Sequence, residues 1–213
     1  MLGYWLPATS VVSARARAYY GVEATIGSGV ALTFDDGPHP EGTPAVLEAL
    51  GDTVATFFLV GEQVERRPEL VARIAAAGHE IGVHCDRHRN LLRIGRRGVH
   101  DDLERATGLI ADAAGREPAL YRPPYGILNA AALDEARARG WRTLLWSRWG
   151  KDWRRRATAE SIVRSIGPLH PGDVVLLHDA DYYSAAESWR RTVAAVPRVV
   201  ESLRRSRLEA RLP

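Results

Sequence analysis

The chain has one cysteine, Cys85, among its 213 residues, so an intrachain disulfide is excluded. It also has one lysine, Lys151, so its 29 basic residues are almost all arginine. Against 26 acidic residues these leave a formal charge of +3. No basic stripe is interleaved with aromatics, so the excess reads as a compositional bias and argues against a nucleic-acid partner. The densest basic runs, Arg154-Arg155-Arg156 and Arg204-Arg205 to Arg207, read as solvated surface. No apolar run approaches the length of a membrane span. The mildly apolar stretch at residues 2–12 is followed, not preceded, by Arg15 and Arg17, the reverse of a signal peptide. The default expectation is therefore cytoplasmic, or secreted or cell-wall associated if a leader has been trimmed. Internal repeats and low-complexity segments are absent, and nothing in the sequence sets an oligomeric state.

What is present is an ordinary globular composition, 46% apolar, sized for one substantial core. Residues 1–29 show weak periodicity and end in Gly27-Ser28-Gly29, which predicts an N-terminal arm followed by a domain over residues 30–213. Short apolar runs at residues 30–34, 54–60, 79–83, 119–122, 141–146 and 173–177 predict strands. Helical patterns at 43–50, 69–77, 98–114, 130–139, 158–166 and 185–205 alternate with them. Thr43 is the expected cap of the first helix, and Pro197 is expected to kink or split the last. Strands alternating with helical crossovers predict a parallel sheet. Six or seven such repeats predict an α/β fold, a barrel or partly closed barrel in preference to an open sheet, with its chemistry at the C-terminal strand ends.

Five polar constellations sit at those predicted strand ends: Thr33-Phe34-Asp35-Asp36-Gly37-Pro38, His84-Cys85-Asp86-Arg87-His88, Arg122-Pro123-Pro124-Tyr125-Gly126, Lys151-Asp152-Trp153 and Leu176-Leu177-His178-Asp179. Carboxylates and imidazoles are costly against a core unless paired or metal-bound. His84 and His88, four residues apart, can present two imidazoles to one side, and with one carboxylate they suit zinc or a similar divalent ion. Asp35 and Asp36 are adjacent, so in extended backbone one can reach the ion while the other faces a substrate pocket. Two satisfied loop histidines beside a helix-capping Asp-Asp would look the same in sequence. Consecutive prolines stiffen residues 122–126 and leave the Tyr125 N–H free to meet a developing oxyanion, while Arg122 can hold a carboxylate ionised. His178 suits general acid work near neutral pH. Cys85 reads as a small filler of a tight turn in preference to a nucleophile. Trp141, Trp146, Trp149 and Trp153 cluster, which suits either a sugar-binding face or a core.

In this order the constellations resemble the polysaccharide deacetylases of carbohydrate esterase family 4, the NodB-homology domain, over about residues 30–205. The resemblance implies a distorted (β/α) barrel of about six or seven parallel strands, and a metal-dependent hydrolase removing the N-acetyl group of an N-acetylated sugar or glycan. It implies one divalent metal held by Asp36, His84 and His88, zinc first, with cobalt, nickel or manganese as alternatives. It implies Asp35 as the general base, Arg122 orienting Asp35, the Tyr125 N–H at the oxyanion, and His178 protonating the leaving amine. Leu176 would receive the acetyl methyl, with Trp153, Pro123 and Pro124 as further candidate substrate contacts. A hydrolase of a small non-sugar amide or cyclic imide is the alternative on the same fold. A catalytically silent carbohydrate-binding relative is a third reading. The fourth motif of the family usually reads Asp-x-x-Asp-Trp, its first Asp tuning the acid histidine, and here Trp149 stands at that position. The expectation is that His178, unless rescued by Asp152, Asp179 or Asp181, has a lowered pKa and an alkaline activity limb at lower pH.

Overall fold

The computed structural model describes residues 2–213. Its strands are β1 (Val22–Glu23), β2 (Ala31–Asp35), β3 (Thr56–Val60), β4 (Glu80–Cys85), β5 (Leu120–Tyr121), β6 (Arg142–Leu144), β7 (Arg148–Trp149) and β8 (Val174–His178). All are parallel to their neighbours in one sheet of order β1-β6-β5-β4-β3-β2-β8-β7. Every residue of β2 and β3 is buried, the mark of strands covered on both faces. The helices are α1 (Ala14–Tyr20), α2 (Gly42–Leu50), α3 (Gly61–Arg66), α4 (Pro68–Ala76), α5 (Arg96–Ala114), α6 (Ala130–Ala138), α7 (Ala159–Ile166) and α8 (Ser188–Arg205).

The sheet curls into the expected distorted barrel, and the period-two alternation of its strands sorts side chains between two layers. Leu32, Phe34, Phe57, Leu59, Val175 and Leu177 face outward into the main core beneath the helices. Ala31, Phe58, Leu120, Leu144 and Val174 form a second, smaller cluster inside the barrel. The same alternation turns Thr33, Asp35, Leu176 and His178 inward. Asp35 and His178 are direct partners in the β2/β8 register, so two chemically active residues emerge side by side at the barrel mouth. Gly82 of β4 is required by this filling, because a Cβ there would lie 2.6 Å from the Phe58 ring.

Eight strands replace the six or seven expected, since β1 and β7 are two residues each, too short for a periodicity to register. Val22 and Glu23 lie in the stretch whose weak periodicity predicted no element, yet they pair with β6. The single strand predicted at residues 141–146 is instead β6 followed by β7. Ser147 N donates to Val174 O (3.0 Å) and Gly150 N to Leu176 O (3.1 Å), so this stretch crosses from β5 to β8. A bridge between Thr25 and Asp173 brings the end of β1 to the start of β8 and narrows the remaining gap.

Three local expectations are corrected. Helix α3 has no counterpart in the predicted pattern. Thr43 lies inside α2 and does not cap it; its hydroxyl accepts from His39 N (2.7 Å) and donates to Asp179. Helix α8 runs through Pro197 as one element, because its face of Ala195, Val196, Val199, Val200 and Leu203 is buried. A proline inside a helix costs about 3 kcal/mol, and burying several aliphatic side chains at about 1.5–3 kcal/mol each outweighs it.

Candidate active site

The barrel interior is built around Arg122, which is fully buried with its guanidinium 4.1 Å over the Phe58 ring. An unpaired charge there would be prohibitive, and four hydrogen bonds satisfy it. Nη1 donates to Thr33 Oγ1 (2.7 Å) and Asp35 Oδ1 (2.8 Å). Nε and Nη2 donate to the carbonyls of Leu144 (2.8 Å) and Leu145 (2.9 Å). Burial pulls the guanidinium pKa below its ordinary value, and the Asp35 carboxylate opposes that pull. The pair fixes Asp35 in position and leaves its second oxygen toward the cleft.

Asp36 reaches a different place by a different device from the extended backbone expected. Its φ is 78°, left-handed and unusual for an aspartate, so the chain turns sharply after β2 and re-aims the second carboxylate. Its Oδ1 lies 3.4 Å from Nε2 of both His84 and His88. That oxygen is buried without a hydrogen-bond partner. Two ligands each about 2.0–2.2 Å from one tetrahedral ion are about 3.4 Å apart, so the spacing and the orphaned oxygen fit a shared divalent ion. One donor atom from each of the three residues lies within 4.8 Å of the others.

The protonation states favour the same use. Burial works to raise the Asp36 pKa, but the close approach of the His84 ring, with the His178 and His88 rings around it, holds it at about 2. Burial takes the His88 pKa down to about 4, against the pull of Asp36, leaving a neutral imidazole. His84 Nδ1 lies 2.7 Å from the Arg122 carbonyl; donation there leaves Nε2 as the free lone pair. His88 Nδ1 has no such partner, and its ring is instead stacked on Tyr183 (centroids 4.4 Å apart, 12°) and meets Tyr125 edge-on (4.6 Å). The Tyr183 hydroxyl is anchored by donation to Glu62 Oε1 at 2.5 Å. Cys85, between the two histidines in sequence, is buried on the other side of β4, and burial raises its thiol pKa well above the ordinary value. A protonated, inaccessible thiol is no nucleophile.

The expected consequence of Trp149 is overturned. His178 keeps a carboxylate partner, and it is Asp152, the residue before Trp153. His178 Nδ1 lies 2.9 Å from Asp152 Oδ1, and His178 N donates to Asp152 Oδ2 (2.7 Å). Thr192 of α8 donates to the same Oδ2 at 2.7 Å. Burial works to lower the His178 pKa, yet Asp152, with Asp36 and Asp35 beyond it, drives it up to about 10. The left-handed Lys151 (φ 54°) turns the chain so that Asp152 passes beneath the end of β8. Asp179 faces the opposite way, bonded to Thr43, with burial pushing its pKa up to about 7. Asp181 accepts from Glu187 N (2.6 Å), away from His178.

Asp35, Asp36, His84, His88, Tyr125 and His178 line one cleft of about 250 Å³ at the C-terminal ends of the strands. Leu176 and Trp153, expected substrate contacts, are on its wall; Pro123 and Pro124 are buried and are not. The Tyr125 N–H stands apart from the two hydrogen bonds of its turn, which run from Gly126 N to Pro123 O (2.9 Å) and Ile127 N to Pro124 O (3.1 Å). Gly126 also lines it, and Trp146, Trp149, Tyr183 and Ser184, which were not singled out as site residues by the sequence, complete the lining. The tryptophan cluster was their available signal, and Tyr183 had none. Trp149 is 37% exposed and stacks on Trp153 at 4.5 Å.

Fold and donor set together define a (β/α) barrel with a divalent-metal site at its mouth. The profile of the polysaccharide deacetylase family matches residues 23–144. The chain is 36% identical over 181 residues to a peptidoglycan-N-acetylglucosamine deacetylase of Bacillus cereus, covering 83% of this chain and 82% of that one. It is 35% identical over 202 residues to a chitooligosaccharide deacetylase of a Bradyrhizobium species, covering 91% of each. A crystal structure of a peptidoglycan N-acetylglucosamine deacetylase matches with a TM-score of 0.83 at 30% identity, over 97% of this chain and 94% of that one. The chain belongs to the polysaccharide deacetylase family. Among the described residues no helix is long and apolar enough to cross a membrane.

Proposed function

We propose that the chain is a zinc-dependent deacetylase that hydrolyses the N-acetyl amide of an N-acetylated amino sugar in a glycan. The observation that carries this reading is the convergence on one cleft of a carboxylate paired with a buried arginine, an Asp-His-His donor set, and a histidine paired with a buried carboxylate. A hydrolytic amide cleavage needs these functions together: a base for water, stabilisation of the developing oxyanion, and an acid for the amine. Asp36, His84 and His88 would hold the ion, which when bound supplies Lewis-acid polarisation of the amide carbonyl. The donor set of one carboxylate and two imidazoles with open positions is one that zinc takes.

Asp35, held in place by its ion pair with Arg122, accepts a proton from the attacking water. The Tyr125 N–H donates to the oxyanion as the carbonyl carbon becomes tetrahedral. His178, charged through Asp152, gives its proton to the departing amine, and the amino sugar and acetate leave. Leu176 offers an apolar wall to the acetyl methyl, while the tryptophan faces receive the sugar. A positioned acid or base contributes about 10²–10⁴ in rate, so the loss of Asp35 or of His178 should each be visible. The test is acetate release from chitooligosaccharides, peptidoglycan fragments and monomeric N-acetyl sugars, by protein stripped of metal and reloaded with zinc. Zinc-dependent release from a glycan is expected. A folded, zinc-loaded protein that releases acetate from none of them would overturn the reading.

A further inference from the structure

The two arginine runs that look alike in sequence are separated by the fold. Arg204 to Arg207 end α8, where Val30 bridges Ala210 at the N-terminal start of β2, so that run sits at the barrel end opposite the cleft. Arg154, Arg155 and Arg156 follow β7 and sit at the cleft end, all three exposed. Lys151, the chain's single lysine, lies in the same loop. None of these four side chains makes an ion pair with an acidic residue among the described residues, whereas Arg148 and Arg198 do. Arg148 bonds Asp173 (2.8 Å), Arg198 bonds Glu160 (2.6 Å), and Asp152 is taken by His178. The Arg154 guanidinium lies 5.4 Å from the centre of the Trp153 ring, and that ring is part of the cleft wall. Lys151, Arg154 and Arg156 also line a second depression of about 250 Å³ between this loop and α7.

A cationic loop without acidic partners, continuous with an aromatic cleft wall, is suited to a polymer that presents flat sugar faces and negative charge in alternation. We propose that the loop from Lys151 to Arg156 is a specificity subsite that selects a carboxylate-bearing glycan over a neutral one. The proposal rests on the glycan deacetylation proposed above and narrows its substrate class. Trp149 and Trp153 stack on the sugar being deacetylated, and Arg154, held over Trp153, meets a carboxyl group on the neighbouring sugar. Arg155, Arg156 and Lys151 add a positive field that raises the local concentration of an anionic strand and that salt screens.

The test compares kcat/KM for three substrates of equal length. They are glycan strands of alternating N-acetylglucosamine and carboxyl-bearing N-acetylmuramic acid, the same strands with the carboxyls methyl-esterified, and chitooligosaccharides. Wild type should prefer the free carboxyl strand over its ester by about tenfold, mainly through KM, and lose that preference between 0.05 and 0.5 M salt, roughly the span over which exposed charges become screened. Arg154→Gln/Arg155→Gln/Arg156→Gln should bring the ratio of free acid to ester close to one. Arg204→Gln/Arg205→Gln/Arg207→Gln, an equal change of net charge at the opposite end, should keep the wild-type ratio. Wild-type activity on all three substrates with no charge preference would overturn the subsite and leave the deacetylase reading intact. A preference lost equally in both triple variants would overturn it too, assigning the effect to net charge. Absence of acetate release from every substrate would instead count against the deacetylase reading.

Discussion

Replacing Asp152 with asparagine tests the proposed acid directly. Asp152 is fully buried and has three partners: the His178 ring, the His178 backbone N–H and the Thr192 hydroxyl. The near-isosteric amide keeps the volume and removes the charge. His178 stands at about 10 in place of 6.5, a difference of about 3.5, which corresponds to roughly 5 kcal/mol in favour of the imidazolium. Asp152 is the largest contributor that raises it, while burial works downward. A bound divalent cation adds its own downward push, so the working value lies below 10, but the part owed to Asp152 is lost in the variant either way. As the proposed acid His178 would act while protonated, so activity would fall as pH rises through its pKa, and a lower pKa would move the alkaline limb to lower pH. The kcat/KM profile of Asp152→Asn should therefore have its alkaline limb at least about one pH unit below wild type. Above that limb each unit of displacement costs about tenfold. Acetate release from pH 5 to 10, with zinc content and circular dichroism checked at each end, measures it. A folded, zinc-loaded Asp152→Asn protein with an unmoved limb would refute the assignment of Asp152 as the tuning group or of His178 as the acid.

Asp35→Asn should lower kcat by at least about 100-fold with zinc content nearly unchanged, whereas Asp36→Ala should lose both; metal analysis beside kinetics separates them. Arg122→Gln removes one half of a buried pair and should cost about 3–5 kcal/mol, read as a lowered urea midpoint. Cys85→Ala should keep kcat within a few-fold and lose about 1 kcal/mol of stability, and native protein should resist iodoacetamide; loss of activity in a folded Cys85→Ala variant would reopen the nucleophile reading.

How much of this was legible in the sequence depended on the physical scale of each feature. Strands such as β2, β3 and β8 announce themselves because burial on both faces demands unbroken apolar runs. The two-residue strands β1 and β7 carry no periodicity, and only their hydrogen bonds to β6 and β8 define them. The donor set Asp36, His84 and His88 could be read from the motifs, but the left-handed turn at Asp36 that separates its role from that of Asp35 could not. Position 149 is the most instructive: the motif spacing puts the tuning carboxylate there and leaves Asp152 as one of three possible substitutes, whereas the turn at Lys151 brings Asp152 under His178. Tyr183 lies some ninety-five residues from His88 and reaches it only through the barrel's closure, so no local pattern could have found it. The arginine runs show the converse: with three arginines each, they differ in meaning only once the topology places one at the cleft and one at the far end.

The most direct test of the central claim is a zinc titration of metal-stripped protein, following acetate release from an N-acetylated glycan. Activity should be absent without metal, rise in proportion to added zinc and saturate at one ion per chain, while His88→Ala should show neither the tight uptake nor the activity. Undiminished acetate release from the metal-stripped protein, or a folded chain that takes up one zinc ion at Asp36, His84 and His88 and still releases no acetate, would contradict it.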